Sequence, residues 1–335
     1  MGQKHARILS DMPNVEVAWV LGRAGPEVEK LAAQVGADGT TDVSSVLADP
    51  SVELVIVAVP TFLHKDLAIQ ALHAGKKVIC EKPITLSVAD ADQMIEAAFQ
   101  AALAAGYTDE SPEISAARYL MIGHVLRFWP EYRVIARLTD DGTLGEPLSV
   151  EAERLSTAPK WASWFDDVEL SGGMVTDLMI HDFDYANSLL GIPVTVKAWG
   201  LGKGSDDWKH VQAVIEYDGG GRALITGSHL MVDSYPFTSS IRVIGSKAVA
   251  EYRYVSGEEV VMASQAQTNS LYLYTGPDAV VPNAYLSPDE QQDAYICQLD
   301  YFLRCIRQNR PPKLGTPHQA RLALAVALAV RQSMG

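Results

Sequence analysis

Short aliphatic runs alternate with amphipathic stretches through the first third of the chain. VEVAWVL (15–21), LVIVAVP (54–60), KVICE (77–81) and RYLMIGH (118–124) are nearly continuous apolar runs, the pattern of strands covered by helices on both faces. Between them PEVEKLAAQVGA, HKDLAIQALHAGK and SVADADQMIEAAFQAALAAG read as crossover helices, with Pro26 and Ser87 as start signals and Gly36, Gly75 and Gly106 as stops. This alternation predicts an α/β unit built on a doubly wound parallel sheet.

After about residue 125 the period changes. PLSVEAERL, VTVKAWGLG, HVQAVIEY, RALITGSHLMV, FTSSIRVIG and AVAEYRYV follow one another closely, joined by polar turns such as DGGG (218–221). That spacing predicts a large, mainly antiparallel sheet in a second, α+β domain. Helices are expected at 171–191, at SPDEQQDAYICQLDYFLRCIRQN and at HQARLALAVALAVRQSM. The expected division is 1–124 and 125–335, and YTDESPEIS (107–115) reads as the loop of lowest order.

Composition narrows the function. With 335 residues, 48% hydrophobic and 20% charged, the chain has material for two cores and is not of disordered type. A net charge of −14 without any Lys/Arg run argues against nucleic acid as a partner. LALAVALAV (322–330) is about half of the roughly 20 residues a membrane span needs, and no signal-peptide pattern opens the chain, so a cytoplasmic location is expected. Cys80, Cys297 and Cys305 lack metal-ligand spacing and read as buried or half-buried free thiols.

Three pieces carry candidate chemistry. Glu81, Lys82 and Pro83 end the KVICE strand, where open parallel sheets face their ligand crevice, and a lysine there can stabilise a developing alkoxide; the alternative is an exposed loop lysine. In GGMVTDLMIHDFD, Asp177 and His181 lie four apart, on one face if the segment is one helix, so a carboxylate can orient an imidazole for proton transfer. The alternative is a surface pair, with Asp182 and Asp184 as a solvated acidic edge. In GHVLRFWPEY, Arg127 is a candidate anchor for a hydroxyl-rich or carboxylate substrate, and Trp129 offers either a sugar-stacking face or, with Phe128, an apolar plug. His5, His64, His124 and His181 are not spaced as a local ligand set, so no metal is expected.

Together these pieces resemble the Gfo/Idh/MocA oxidoreductases, the family of glucose–fructose oxidoreductase and inositol dehydrogenase. VELVIVAVPTFLHKDLAIQALHAGKKVICEKP matches that family's strand–helix–strand–EKP passage, and GG…DLMIHD matches its catalytic helix. The resemblance implies a Rossmann-type first domain, Lys82 beside the nicotinamide and reacting carbon, His181 as acid/base, and Asp177 as its orienting partner. It also implies cofactor contacts at Pro60, Thr61, His64 and Glu81, and an NAD(P)-dependent exchange of hydride with a sugar, inositol or related polyol. Trp161, Trp164 and Phe165, just ahead of that helix, are expected to line the pocket.

Two departures from the family pattern bear on the cofactor. MGQKHARIL matches only the end of the family's G-x-G-x-x-G motif, with Gly2 as the third glycine, and a start codon placed too late is favoured over a real truncation. After VEVAWVL, where an acid would select NAD, the chain has Gly22 and Arg23. An arginine can pair with a 2′-phosphate, so NADP is preferred over NAD. The rival reading is a non-catalytic dinucleotide or sugar sensor on the same fold; a structural subunit is a third. Homo-oligomerisation, as dimer or tetramer, is expected from the broad face of the second sheet.

Overall fold

The computed structural model describes residues 1–159, 163–203, 207–256, 266–276, 279–280 and 291–334. The chain divides into two compact units, one of residues 1–123 with 298–318 and the other of 124–297 with 319–335. The return of 298–318 was not expected, and its cause is non-local pairing: Ile122 N donates to Gly315 O at 2.8 Å, and Arg307 donates to the carbonyls of Pro13 and Asn14.

In the first unit the elements run α1 (Gly2–Asp11), β1 (Trp19–Leu21), α2 (Gly25–Val35), β2 (Asp38–Thr40), α3 (Val43–Ala48), β3 (Leu54–Val57), α4 (His64–His73), β4 (Lys77–Glu81), α5 (Val88–Ala104), α6 (Pro112–Tyr119) and β5 (Leu120–Gly123). All strand pairs are parallel, in a two-stranded sheet β1–β2 and a three-stranded sheet β3–β4–β5. Ser87 caps α5 by accepting from Asp90 N, and Gly36 ends α2 at φ 71°, the left-handed turn that glycine adopts without strain.

Several predicted bounds shift. β1 covers only the last three residues of VEVAWVL, and β2, drawn from the polar DGT, was not foreseen. RYLMIGH is helix to Tyr119 and strand only from Leu120. The stretch read as a loop at 107–115 enters α6 at Pro112, and it is tied down by Arg118, whose Nε donates to Glu110 Oε2 at 2.6 Å.

The second unit contains α7 (Pro130–Asp140), β6 (Pro147–Leu155), α8 (Val168–Ser171), α9 (Gly173–Asp177), α10 (Ile180–Leu190), β7 (Pro193–Lys203), β8 (Asp207–Tyr217), β9 (Arg222–Ser228), β10 (Phe237–Gly245), β11 (Val249–Ser256), β12 (Ala266–Tyr274) and β13 (Ala279–Val280). The strands form one eight-stranded sheet ordered β13-β12-β11-β10-β6-β9-β8-β7. Among the described residues only β6–β9 of its pairs is parallel. α11 (Ala294–Arg307) and α12 (Pro317–Met334) complete the chain.

Alternation along the strands sorts the two faces of this sheet. Val150, Ala152, Ile241, Val243, Ala250 and Tyr252 point into the core under α9 and α10. The opposite face carries a cross-strand ion-pair row in which Arg242 bridges Glu151 at 2.7 Å and Glu251 at 2.8 Å. β12 escaped the reading because only its second half, SLYLY, alternates.

Candidate active site

In the first unit the candidate groups gather at the carboxyl rim of the three-stranded sheet. Val57 pairs in register with Cys80, so Ala58 and Glu81 are the next residues along the two strands, and Lys82 follows half-buried at the rim. Glu81 is buried, and its Oε1 lies 2.6 Å from Nε2 of His5 on α1. A carboxylate only accepts, so Nε2 is the donor. Burial pushes the Glu81 pKa up, but the His5 hydrogen bond and charge, with the charges of Lys82 and His64, outweigh it and hold the carboxyl below the ordinary glutamate value. Glu81 thus turns inward to His5.

The ring of His64 is buried, with Nδ1 2.9 Å from Pro83 O and Nε2 2.9 Å from Val59 O. It clamps the loop after β3 against the loop after β4. Burial pushes its pKa down against the raising effects of both carbonyls and of Glu81. Thr61 is likewise buried, while Pro60 is half-buried as the residue that opens a 3₁₀ turn at Thr61–Leu63. Cys80 is fully buried with its thiol pKa pushed up by burial, and all three cysteines are buried, with no disulfide among the described residues.

The same rim suits an anion. α1 opens without a side-chain cap and without an acidic residue in its first turn, leaving helix-start N–H groups with their partial positive charge. A methyl built on Gly2 would lie 3.8 Å from Ala58 Cβ, so the helix start sits against the end of β3. At Gly22 an added Cβ would come within 2.7 Å of Val28 Cγ2, so the close β1–α2 turn leaves little room for a side chain. Arg23 follows, exposed. These residues fit a dinucleotide: Gly2 and the α1 start for the pyrophosphate, Gly22 and Arg23 for the ribose side.

In the second unit the segment read as one helix over 171–191 is two, α9 and α10, preceded by the short α8. Gly172 and Gly173, at φ 78° and 69°, turn the chain between α8 and α9, a conformation that side-chain-bearing residues rarely adopt. A second break at Leu178–Met179 separates Asp177, at the end of α9, from His181, in the first turn of α10. The single-helix premise for that pair is therefore corrected, although both side chains remain half-buried and reachable. The break has a cause in the sheet: Met179 is fully buried, and a Cβ on Gly227 of β9 would meet its Cγ at 2.3 Å.

Asp182 and Asp184 are not a solvated edge. Both are buried, Asp182 held by Arg154 and Asp184 by Arg127. Arg127 donates to Asp184 through Nε at 2.7 Å and Nη2 at 2.8 Å. This removes it from the substrate-anchor role, because a guanidinium satisfied by a buried carboxylate braces α10. Trp129 packs inward, its indole N–H 3.0 Å from Tyr252 Oη and its ring edge-on to Tyr254, so it is a plug. Trp164 is half-buried and stacked on Phe165 with centroids 4.0 Å apart; Trp161 lies outside the described residues. Among the described residues no group of three or more His, Cys, Asp or Glu side chains is placed to hold a metal ion, and no helix is long and apolar enough to cross a membrane.

Comparison with known proteins matches this description to two family models. Residues 1–106 match an oxidoreductase-family NAD-binding Rossmann domain and residues 132–251 a GFO/IDH/MocA C-terminal domain. The chain is 28% identical to myo-inositol 2-dehydrogenase of Thermotoga maritima, over 88% of this chain and 80% of that one. It is 26% identical to scyllo-inositol 2-dehydrogenase (NAD(+)) of Bacillus subtilis, over 99% and 91%. Its fold superposes on UDP-N-acetylglucosamine 3-dehydrogenase of Acidithiobacillus ferrooxidans with a TM-score of 0.77 at 24% identity, covering 99% of this chain and 93% of that one.

Proposed function

The chain belongs to the Gfo/Idh/MocA oxidoreductases and is a nicotinamide-dependent enzyme acting on CH–OH groups of sugars or polyols; we propose that Lys82, Asp177 and His181 carry its chemistry. The nicotinamide ring, when bound, accepts or returns the hydride. His181 takes the hydroxyl proton of the substrate as its carbinol is oxidised, and Asp177 orients the imidazole. Lys82 steadies the negative charge that grows on that oxygen. In the reductive direction the same groups protonate and polarise a ketone.

The observation that carries this reading is the placement of Lys82 at a parallel-sheet rim that also holds an uncapped, glycine-led helix start. The substrate class is a cyclic polyol or sugar, with Trp164 and Phe165 as its stacking surface. NADP is the preferred cofactor, since Arg23 stands exposed after β1 where it can meet a 2′-phosphate. The protein assembles as a homo-oligomer through the sheet face opposite α9 and α10, where Trp199, Leu224 and Tyr272 are exposed. A panel of inositols and sugars with NADP or NAD, read by nicotinamide absorbance, tests the function. Turnover with at least one cyclic polyol or sugar is expected; dinucleotide binding without turnover on any of them would favour the sensor.

A further inference from the structure

His5 is a buried side chain of the first unit hydrogen-bonded to the ionised carboxylate that adjoins the proposed oxyanion-stabilising residue. It lies one turn beyond Gly2 on α1 and points into the unit, 1% exposed, with its Nε2–H 2.6 Å from Glu81 Oε1. Glu81 has little room to turn away. A Cβ placed on Gly123 of β5 would stand 3.4 Å from both Glu81 oxygens and 3.3 Å from Gln298 Nε2, so the carboxylate lies in a slot over a glycine, with a fully buried amide on the same glycine.

We propose that His5 is a positioning residue for the reaction: by fixing the Glu81 carboxylate it sets the place and field of Lys82 and ties that lysine to the helix start that receives the cofactor phosphates. The proposal rests on the assignment of Lys82 to the chemistry. Glu81 and Lys82 are consecutive, so the direction of the Glu81 side chain, inward to His5, fixes the backbone turn from which Lys82 leaves β4. The carboxylate's charge attracts the Lys82 ammonium, and His5 and His64 are the other titratable groups that act on Glu81. An anion seated at the start of α1 therefore fixes the helix that carries His5, and with it the lysine.

The test uses the full-length enzyme, its identified polyol substrate, and the variants His5→Ala, His5→Gln, Glu81→Gln, His5→Ala/Glu81→Gln and Lys82→Ala. Gln keeps an N–H donor near the position of Nε2, whereas Ala removes it. His5→Ala is expected to lower kcat roughly ten- to a hundred-fold, to shift the alkaline limb of the kcat–pH profile, and to weaken cofactor binding measured by tryptophan fluorescence. His5→Gln is expected to recover most of the rate, and the Ala substitution is expected to add little in the Glu81→Gln background. Should His5→Ala not fold, His5→Leu fills a similar volume without a donor and is read in its place. A His5→Ala enzyme with unchanged kcat and pH profile, or His5→Gln as impaired as His5→Ala, would overturn the proposal while Lys82→Ala is inactive. An active Lys82→Ala would instead overturn the reading on which it rests.

Discussion

Arg154 grips Asp182 through two parallel hydrogen bonds, Nε to Oδ2 at 2.9 Å and Nη2 to Oδ1 at 2.8 Å, one residue after His181. Arg127 holds Asp184 in the same manner two residues further on. Both pairs are buried, so each charge depends on its partner, and together they fix the first turn of α10 and with it the imidazole.

Removing one member of such a pair leaves an uncompensated buried charge. Arg154→Ala is expected to lose about 3–5 kcal/mol of stability, read as a lower urea midpoint. Arg154→Met with Asp182→Leu is expected to lose much less, because an apolar pair of similar volume leaves no charge behind. Arg127→Ala should behave like Arg154→Ala; an unchanged midpoint with only a raised KM would restore Arg127 to substrate binding.

Met179 and Gly227 predict a steric effect on catalysis. Gly227→Val places a Cβ and its two methyl groups where Met179 lies, at an expected cost of about 1–3 kcal/mol. Because Met179 seats the break before His181, kcat should fall more than KM rises. Met179→Ala in the Gly227→Val background should recover part of the rate.

Two buried groups set pH effects of the same sign, both weakening the fold as pH falls. The folded-state pKa of His64 lies below its ordinary value of 6.5, so below about 6.5 the unfolded chain takes up a proton that the folded chain refuses, and stability falls as pH drops through that range. The folded-state pKa of Glu81 lies below 4.5, so its contribution is present above 4.5 and is lost as pH falls through its folded value. Urea midpoints measured at pH 7.5, 6.5 and 5.5 should decline in the wild type and decline less in His64→Gln. Equal slopes in the two proteins would refute the assignment to His64.

Arg23 gives the cofactor prediction. Arg23→Asp is expected to reverse the preference, weakening NADP by roughly ten-fold or more through the lost charge-assisted bond and leaving NAD unchanged or improved. The ratio of kcat/KM for the two cofactors reads this directly. An unaltered ratio would show that Arg23 does not meet the 2′-phosphate.

Local pattern made much of this legible. KVICE is a strand over its whole predicted span, and Ser87 starts and Gly36 ends a helix where the pattern places them. Pattern failed where long-range partners decide. Nothing near His5 in sequence announces Glu81, 76 positions away, and nothing near Asp182 announces Arg154, 28 positions away. Four-residue spacing placed Asp177 and His181 on one helix; the packing of Met179 on a glycine of a strand yet to come broke it. β2 escaped because DGT has no apolar signal, its strand made by pairing with β1.

The central claim is hydride transfer from a carbinol, supported by Lys82 and His181. Incubating the enzyme with an inositol or sugar deuterated at its carbinol carbons and with oxidised NADP or NAD, then locating deuterium in the nicotinamide product by NMR, tests it most directly. The account predicts deuterium at C4 of the nicotinamide ring, with rates lowered about 10²–10⁴-fold in His181→Ala and in Lys82→Ala while both variants keep wild-type unfolding midpoints. Solvent-derived hydrogen at C4, or full transfer in both variants, would contradict it.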